Sequence, residues 1–416
     1  MWTLNHLEQE IGAAVKRFQT IVNCLALATV AAVLAGPLGG SAAAQVEPAS
    51  GAVVPLDEGL KQLAEHCRTY FEANGVEEVV LGPFIGPART STSGRIETAL
   101  ASHLEGDVAV VDTGAYRLSG RFRGERTDEG RFAIVVSATI CDALGDELCQ
   151  MNKLIFTSEE EGLALFGATA ELPLTAEAVA GESSDEALRA ARTEAVVTAI
   201  SEPAAVLTAD AQPSPGETSL SVVRAAPDSP YGIEILLKTP QSAQPLVTDI
   251  VDGLAQVAVA RGQEYAVRLI NDSDEPAGVA LTIDGVNVLA FSRNPGFRNL
   301  GKWVLPARSV GLIEGWHEEG STFRSFVVTP YSESAAASVG STDGIGTVTA
   351  VFTAAFAGND VPEDEPRLGA IERDESGTGL GAPLNREVRT LRANFGVVRS
   401  AVSVRYARPD LSDLPE

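Results

Sequence analysis

Apolar positions recur at helical spacing early in the chain and change to strand-like alternation over most of its remaining length. From Glu58 to Asn74 the residues Leu60, Leu63, Ala64, Cys67, Tyr70 and Phe71 fall three or four apart, and Gly75 supplies a left-handed stop. VVLGPF, at 79–84, reads as a buried strand ended by Pro83. A second helix comes next, capped by Ser91 or Thr92, with Ile96, Leu100 and Leu104 inward. Then the period changes. Residues 108–111, 116–125, 132–141 and 148–157 alternate as strands joined by turns such as TDEGR and DALGDE. Two helices on a mixed sheet predict a small α/β domain over 58–173.

Residues 174–228 mix Ala, Glu, Ser, Pro and Gly around one helical segment, Asp185 to Ile200, and read as a linker with a helical insert. Beyond Tyr231 the signals are almost purely β: YGIEILLK, LVTDIVDG, EYAVRLIND, GVALTIDGVNVLAF, KWVLP, SVGLIEGW, FRSFVVT, GTVTAVF and VRSAVSVRYA. The Asp284-Gly285 step between LTID and VNVL is the clearest hairpin, since Asp-Gly suits the tight turns that hairpins need. Such closely spaced short strands predict a mainly antiparallel β-sandwich over 229–406, and the fold class is α+β. A polar, acidic, Gly-rich loop at 357–387 interrupts it, and 407–416 form a tail.

The amino terminus redirects the whole reading. Lys16 and Arg17 precede an apolar run, Ile21 to Leu34, and Ala42-Ala43-Ala44 offers a small-residue cleavage site before Gln45. Residues 1–44 are therefore expected to be a signal peptide, or a retained membrane segment, placing the rest in the periplasm or cell envelope beyond a Pro/Ala/Gly-rich spacer at 45–57. The formal net charge of −25 repels phosphate backbones and anionic membranes, which argues against nucleic-acid partners. Contact with a membrane is expected only through the N-terminal segment, if it is uncleaved.

Little in the sequence points to chemistry. His66, His103 and His317 are scattered, HExxH and CxxC are absent, and no Gly-x-Ser-x-Gly elbow occurs, so no metal, no cofactor and no catalytic residue is assigned. Gly296 to Lys302 has the spacing of a phosphate-binding loop, but Trp303 stands where Ser or Thr would hold magnesium, and WVLP predicts a strand after a hairpin loop. GTGLG at 377–381 reads as flexible linker, and Asp360, Glu363, Asp364 and Glu365 as a solvated charge run. An exported hydrolase would need convergent carboxylates such as Glu314, Glu318 and Glu319.

Two groups of residues remain as candidates. Cys141 and Cys149 flank the DALGDEL turn and form a candidate disulfide pair in an oxidising compartment, whereas Cys67 sits on the apolar stripe of a helix as a packed thiol. Trp303, Trp316 and Phe297 lead a cluster of aromatics in the second domain that offers a candidate recognition surface for sugars or a partner.

The order helix, VVLGPF, loop, SGRIETALASHL, YRLSGRFRG and a meander ending in the turn Asp142 to Gly145 resembles the α/β domain shared by curli-secretion lipoproteins, penicillin-binding-protein activators, flagellar-assembly accessory proteins and the TolB amino-terminal domain. That resemblance implies self-association or docking onto an envelope partner, without catalysis. RGQEYAVRLINDSDEPAGVALTIDGVNVLAF, Gly315-Trp316 and FVVTPYSESAAA look like a β-sandwich module of uncharacterised exported proteins, notably of planctomycetes, which implies no activity. Asn271, Asp272 and Asp284 lie in its most recognisable segments, as turn and hairpin residues. The expectation is an exported, non-enzymatic interaction or assembly module of the cell envelope. The alternative is a carbohydrate- or cell-wall-binding protein using the aromatic cluster.

Overall fold

The structure, a computed structural model, describes residues 56–87, 94–128, 130–175, 184–202, 204–209, 220–239, 242–330, 333–335, 346–358, 360–366, 376–380 and 388–407. The expected signal segment at 1–44, residues 45–55 of the spacer, the caps Ser91 and Thr92, and the tail beyond Ala407 lie outside the described residues, while Leu56 and Asp57 of the expected spacer open the first helix and Ala407 of the expected tail ends a strand. The architecture is mixed α+β. Among the described residues no helix is long and apolar enough to cross a membrane. The chain divides into two compact units, one built from 1–86, 96–123 and 133–157 and the other from the remainder.

The first unit sets helices α1 (Leu56–Asn74) and α2 (Gly94–Leu104) with strands β1 (Glu78–Ile85), β2 (Ala109–Val110), β3 (Tyr116–Arg126), β4 (Phe132–Asp142) and β5 (Glu147–Phe156), in sheet order β2-β1-β3-β4-β5. β1 runs parallel to both β2 and β3, and β4 and β5 form an antiparallel hairpin. The stripe Leu60, Leu63, Ala64, Cys67 and Phe71 is buried, as are Ile96, Leu100 and Leu104 of α2. Gly75 ends α1 with φ 64°. Pro83 does not stop β1; the strand continues to Ile85 across a register shift between Leu81 and Phe84, which accommodates a residue with no N–H to donate. Gly59 lets α1 approach β5 closely, since a Cβ there would lie 2.6 Å from Ile155.

Cys141 and Cys149 are not bridged. The register sets Cys149 opposite Ile140 and Cys141 opposite Glu147, across a local shift. Neighbouring strand positions point to opposite faces, so Cys149 turns inward with Ile140 and Cys141 turns away. The turn holds itself, because the Asp142 carboxylate accepts from the amides of Leu144 and Asp146, both at 2.9 Å.

From Ser158 onward the chain belongs to the second unit, ahead of residue 173, because α3 (Glu159–Phe166) and β6 (Ala170–Glu171) pack with later strands. Ser158 caps α3 through its hydroxyl, and Gly167 closes it at φ 57°. α4 (Ser184–Ser201) is the predicted insert. The stretch read as linker also carries β7 (Val206–Ala209) and β8 (Leu220–Arg224), which pair with each other. They belong to a sheet with β9 (Tyr231–Lys238), β10 (Ala243–Pro245), β13 (Glu264–Asn271), β17 (Ser309–Ile313), β18 (Gly315–Glu319) and β19 (Thr322–Val327). β8 is apolar enough to be drawn in, with Val222 and Val223 buried.

A second sheet contains β6, β11 (Thr248–Val251), β12 (Leu254–Ala258), β14 (Ala277–Ile283), β15 (Val286–Asn287), β16 (Trp303–Leu305), β20 (Thr347–Phe356), β21 (Ser376–Leu380), β22 (Val388–Arg392) and β23 (Asn394–Ala407). Alternate residues of both sheets form one core: Ile233, Ile235, Val267 and Leu269 from the first, and Val279, Leu281, Ala350, Phe352, Val402 and Val404 from the second. GTGLG is not a free linker, since Ser376–Leu380 pairs antiparallel with β22 and parallel with β16, completing an otherwise open edge. The acidic run is not simply solvated either. Asp364 and Glu365 both pair with buried Arg399, which sits where the register of β23 shifts against β20.

Arg192 of α4 is completely buried. It pairs with Glu159 of α3 through two nitrogens and donates to the carbonyls of Pro173 at 2.8 Å and Val398 at 2.6 Å. A guanidinium tolerates such burial only when its donors are answered. Arg192→Ala is expected to lower stability by about 3–5 kcal/mol by leaving Glu159 and two carbonyls without their cation. Urea denaturation would show this as a lower midpoint, and a change below about 1 kcal/mol would contradict it.

Candidate functional site

The second unit contains a pocket of about 390 Å³. Its polar end is the Asp284-Gly285 turn between β14 and β15. Both turn residues have positive φ, 54° and 76°, as a two-residue hairpin of this hand requires. Asp tolerates that conformation, and its carboxyl is thereby turned toward the chain entering β20 and the end of β23. Oδ1 accepts from the amide of Gly346 at 2.6 Å and of Thr347 at 3.3 Å. The Tyr406 hydroxyl donates to both carboxylate oxygens, at 2.8 Å to Oδ1 and 2.6 Å to Oδ2.

Burial pushes the Asp284 carboxyl above the ordinary range, while Tyr406 and the two amides pull the other way. The phenol of Tyr406 is raised by burial and by its neighbours Tyr265 and Asp284, and that of Tyr265 is raised by burial and the Asp284 charge. Both phenols therefore stay protonated at neutral pH, and that of Tyr406 donates to Asp284. From this end the wall continues through aromatic rings. Tyr265 lies 5.8 Å from Tyr406 and 5.4 Å from Phe326, which in turn lies 5.4 Å from Trp316, edge to face. β13, β19 and β18 carry Tyr265, Phe326 and Trp316, whose spacing is fixed by hydrogen bonding between the strands, and Tyr406 comes from β23.

The aromatic candidates separate accordingly. Trp316 is half-buried on the pocket wall, with Phe291 packed edge-on at 5.3 Å. Trp303 is wholly buried, and Phe297 is 6 % exposed. Neither presents a face to solvent, so the expected three-residue recognition surface reduces to Trp316. Trp303 Nε1 is buried without a hydrogen-bond partner among the described residues.

His317 lies on β18 and is buried. Its Nε2 is 3.1 Å from the Gly320 carbonyl, which can only accept, so the ring proton sits there and Nδ1 is left to accept from the Ser292 hydroxyl at 3.0 Å. Burial lowers the imidazole pKa, which keeps the ring neutral. This hydroxyl–imidazole pair has the composition of a nucleophile and base, yet Ser292 is 1 % exposed and neither residue lines the pocket. Glu314, Glu318 and Glu319 do not converge, because they pair separately with Lys238, Arg324 and Arg293. Lys302 of the phosphate-loop spacing bonds Glu160 at 2.7 Å and covers the Phe395 ring. Gly296 lies in a short helix, α5 (Pro295–Leu300), capped by Asn294, where a hairpin loop was expected. Among the described residues no cluster of His, Cys, Asp and Glu could hold a metal ion.

Asn271 acts as a turn residue: Nδ2 donates to the carbonyls of Glu275 and Pro306, and Oδ1 accepts from Ser273. Asp272 pairs with Arg224 at 2.6 Å. Asp284 also makes its turn, but sequence patterning does not disclose the buried network around its carboxyl. The signal available was the acidic residue of an Asp-Gly hairpin inside an unusually apolar strand pair.

No family model, no curated protein and no solved structure matches this chain.

The geometry makes two outcomes measurable. Asp284→Ala is expected to cost about 2–4 kcal/mol, since it strands two amides and a phenol and removes a residue suited to positive φ. Asp284→Asn keeps an acceptor and should cost clearly less; equal losses in thermal melts would refute the role given to the carboxyl. Thiol labelling of the native chain from Gln45 onward should modify half-buried Cys141 before Cys149 and Cys67, the last pushed up to about 12 by burial. Mass spectrometry of the unreduced, denatured chain should then count every thiol as reactive, whereas a protected Cys141–Cys149 pair would contradict the β4–β5 register.

Proposed function

We propose that this chain is an exported, non-enzymatic interaction module of the cell envelope, with an α/β unit followed by a β-sandwich whose pocket receives a group from a partner. Export is supported by the apolar segment between Lys16 and the Ala42-Ala43-Ala44 site. The observation that carries the interaction reading is the pocket itself. Its acid is held by structural hydrogen bonds, no candidate metal cluster stands beside it among the described residues, and most of its lining residues are aromatic or aliphatic. Such a recess is suited to holding a group and not to transforming one. The α/β unit, by its resemblance to envelope accessory domains, would self-associate or contact a further component.

The carbohydrate reading keeps Trp316 alone of its three aromatics, with Thr329 and Ser334 as polar neighbours in the pocket lining. Affinity capture from solubilised envelope, using the chain from Gln45 to Glu416, separates the two. A stoichiometric protein retained by the native chain and lost with Trp316→Ala, at unchanged thermal stability, is the expected result. Retention of cell-wall or polysaccharide material alone would overturn it in favour of glycan binding.

A further inference from the structure

We infer that the pocket recognises an organic cation, an ammonium or guanidinium group carried on an apolar stem. This inference rests on the reading of the pocket as a binding site and names what it binds. Asp284 is the one lining residue that carries a formal charge when ionised, and no Lys, Arg or His among the described residues lines the pocket with it. Its hydrogen bonds are unevenly shared. Among the described residues Oδ1 accepts from two amides and a phenol, whereas Oδ2 accepts only from Tyr406, leaving room for another donor on an oxygen that can take two. Every partner of Asp284 among the described residues is neutral, and a carboxylate removed from water is greatly stabilised by an opposite charge.

The aromatic wall asks for the same chemistry. Tyr265 and Phe326 stack on each other at 29° and are almost wholly buried, so they back the wall, while Trp316, at 87° to Phe326, is the ring that keeps part of its surface at the pocket. A ring face attracts a cation, and Trp does so best. An anion would meet a carboxylate and negative ring faces. A neutral sugar would bond to the polar part of the lining but would leave the Asp284 charge without a counter-charge. At about 390 Å³ the cavity lies in the lower part of the range of ligand sites, enough for a trimethylammonium group or a lysine-like side chain with its stem. The net charge of −25 further favours encounter with cations.

Two sources carry this chemistry, a free quaternary amine and a basic side chain of a peptide, and the test distinguishes them. The chain from Gln45 to Glu416 would be titrated calorimetrically and by tryptophan fluorescence with choline, with benzyltrimethylammonium and with N-acetyl-lysine-N-methylamide. The uncharged isostere 3,3-dimethylbutanol is the control. At least one cation should bind about 10-fold or more tighter than the isostere, about 1.4 kcal/mol. Asp284→Asn should weaken the cation about 10-fold and leave the isostere unchanged; Trp316→Leu, which leaves the turn intact, should weaken the cation and is the second variant if Asp284→Asn does not fold. Tighter binding of the lysine derivative assigns the site to a peptide, and tighter binding of choline to a free amine.

Equal binding of cation and isostere, no effect of either variant, or binding only of neutral oligosaccharide would overturn the inference. Partner capture that persists without any cation preference would sink the inference and leave the interaction reading standing. Failure of both capture and ligand binding would sink both.

Discussion

A carboxylate withdrawn from water must find other groups to stabilise it, and at Asp284 those groups come from two distant parts of the chain. The turn between β14 and β15 supplies the acid, the entry to β20 supplies two amides, and the end of β23 supplies a phenol. Each group is short of partners without the others. The hairpin tip, the start of one central strand and the end of another are thereby held in a single register. The pocket exists at this place because the groups that satisfy the acid also bring Tyr406 against Tyr265 and extend the aromatic wall.

The same logic recurs in an otherwise apolar interior. Arg192 ties α4 to α3 and to the backbone of β23, Arg399 gathers Asp364 and Glu365, and Glu234 is fully buried between Arg268 and Ser221. Pairs of this kind add little net stability compared with well-packed hydrocarbon, but they penalise every arrangement in which one member is buried alone. They discriminate among registers that the repetitive Val, Ala and Leu of these strands would otherwise tolerate.

Local features were readable where local forces decide them. YGIEILLK coincides with β9 from Tyr231 to Lys238, the stripe of α1 is buried as its spacing requires, and Asp284-Gly285 turns where Asp-Gly should. The failures share a cause, which is dependence on partners far along the chain. β7 and β8 lie in a segment whose Pro, Ser and Ala content reads as linker, and only the waiting edge of β9 makes strands of them. The Arg192 contact with Val398 spans 206 positions and that of Tyr406 with Asp284 spans 122, beyond any periodicity. Trp303 and Trp316 looked equivalent as aromatics. The sheet interior claimed Trp303 completely, whereas Trp316 kept part of its surface at the pocket.

The placement of β23 has a consequence for the order of assembly. This strand, Asn394–Ala407, is late in the chain yet lies inside the sheet, between β20 and β12, with β6 paired further along it. Until residue 407 has emerged from a ribosome or a translocation channel, β20 and β12 present facing edges with no strand between them. A chain delivered from its amino terminus therefore passes through a stage in which two apolar strand edges are open to any extended segment nearby. The second unit completes its fold by insertion, not by outward growth, and its vulnerable interval lasts as long as delivery of its final strand.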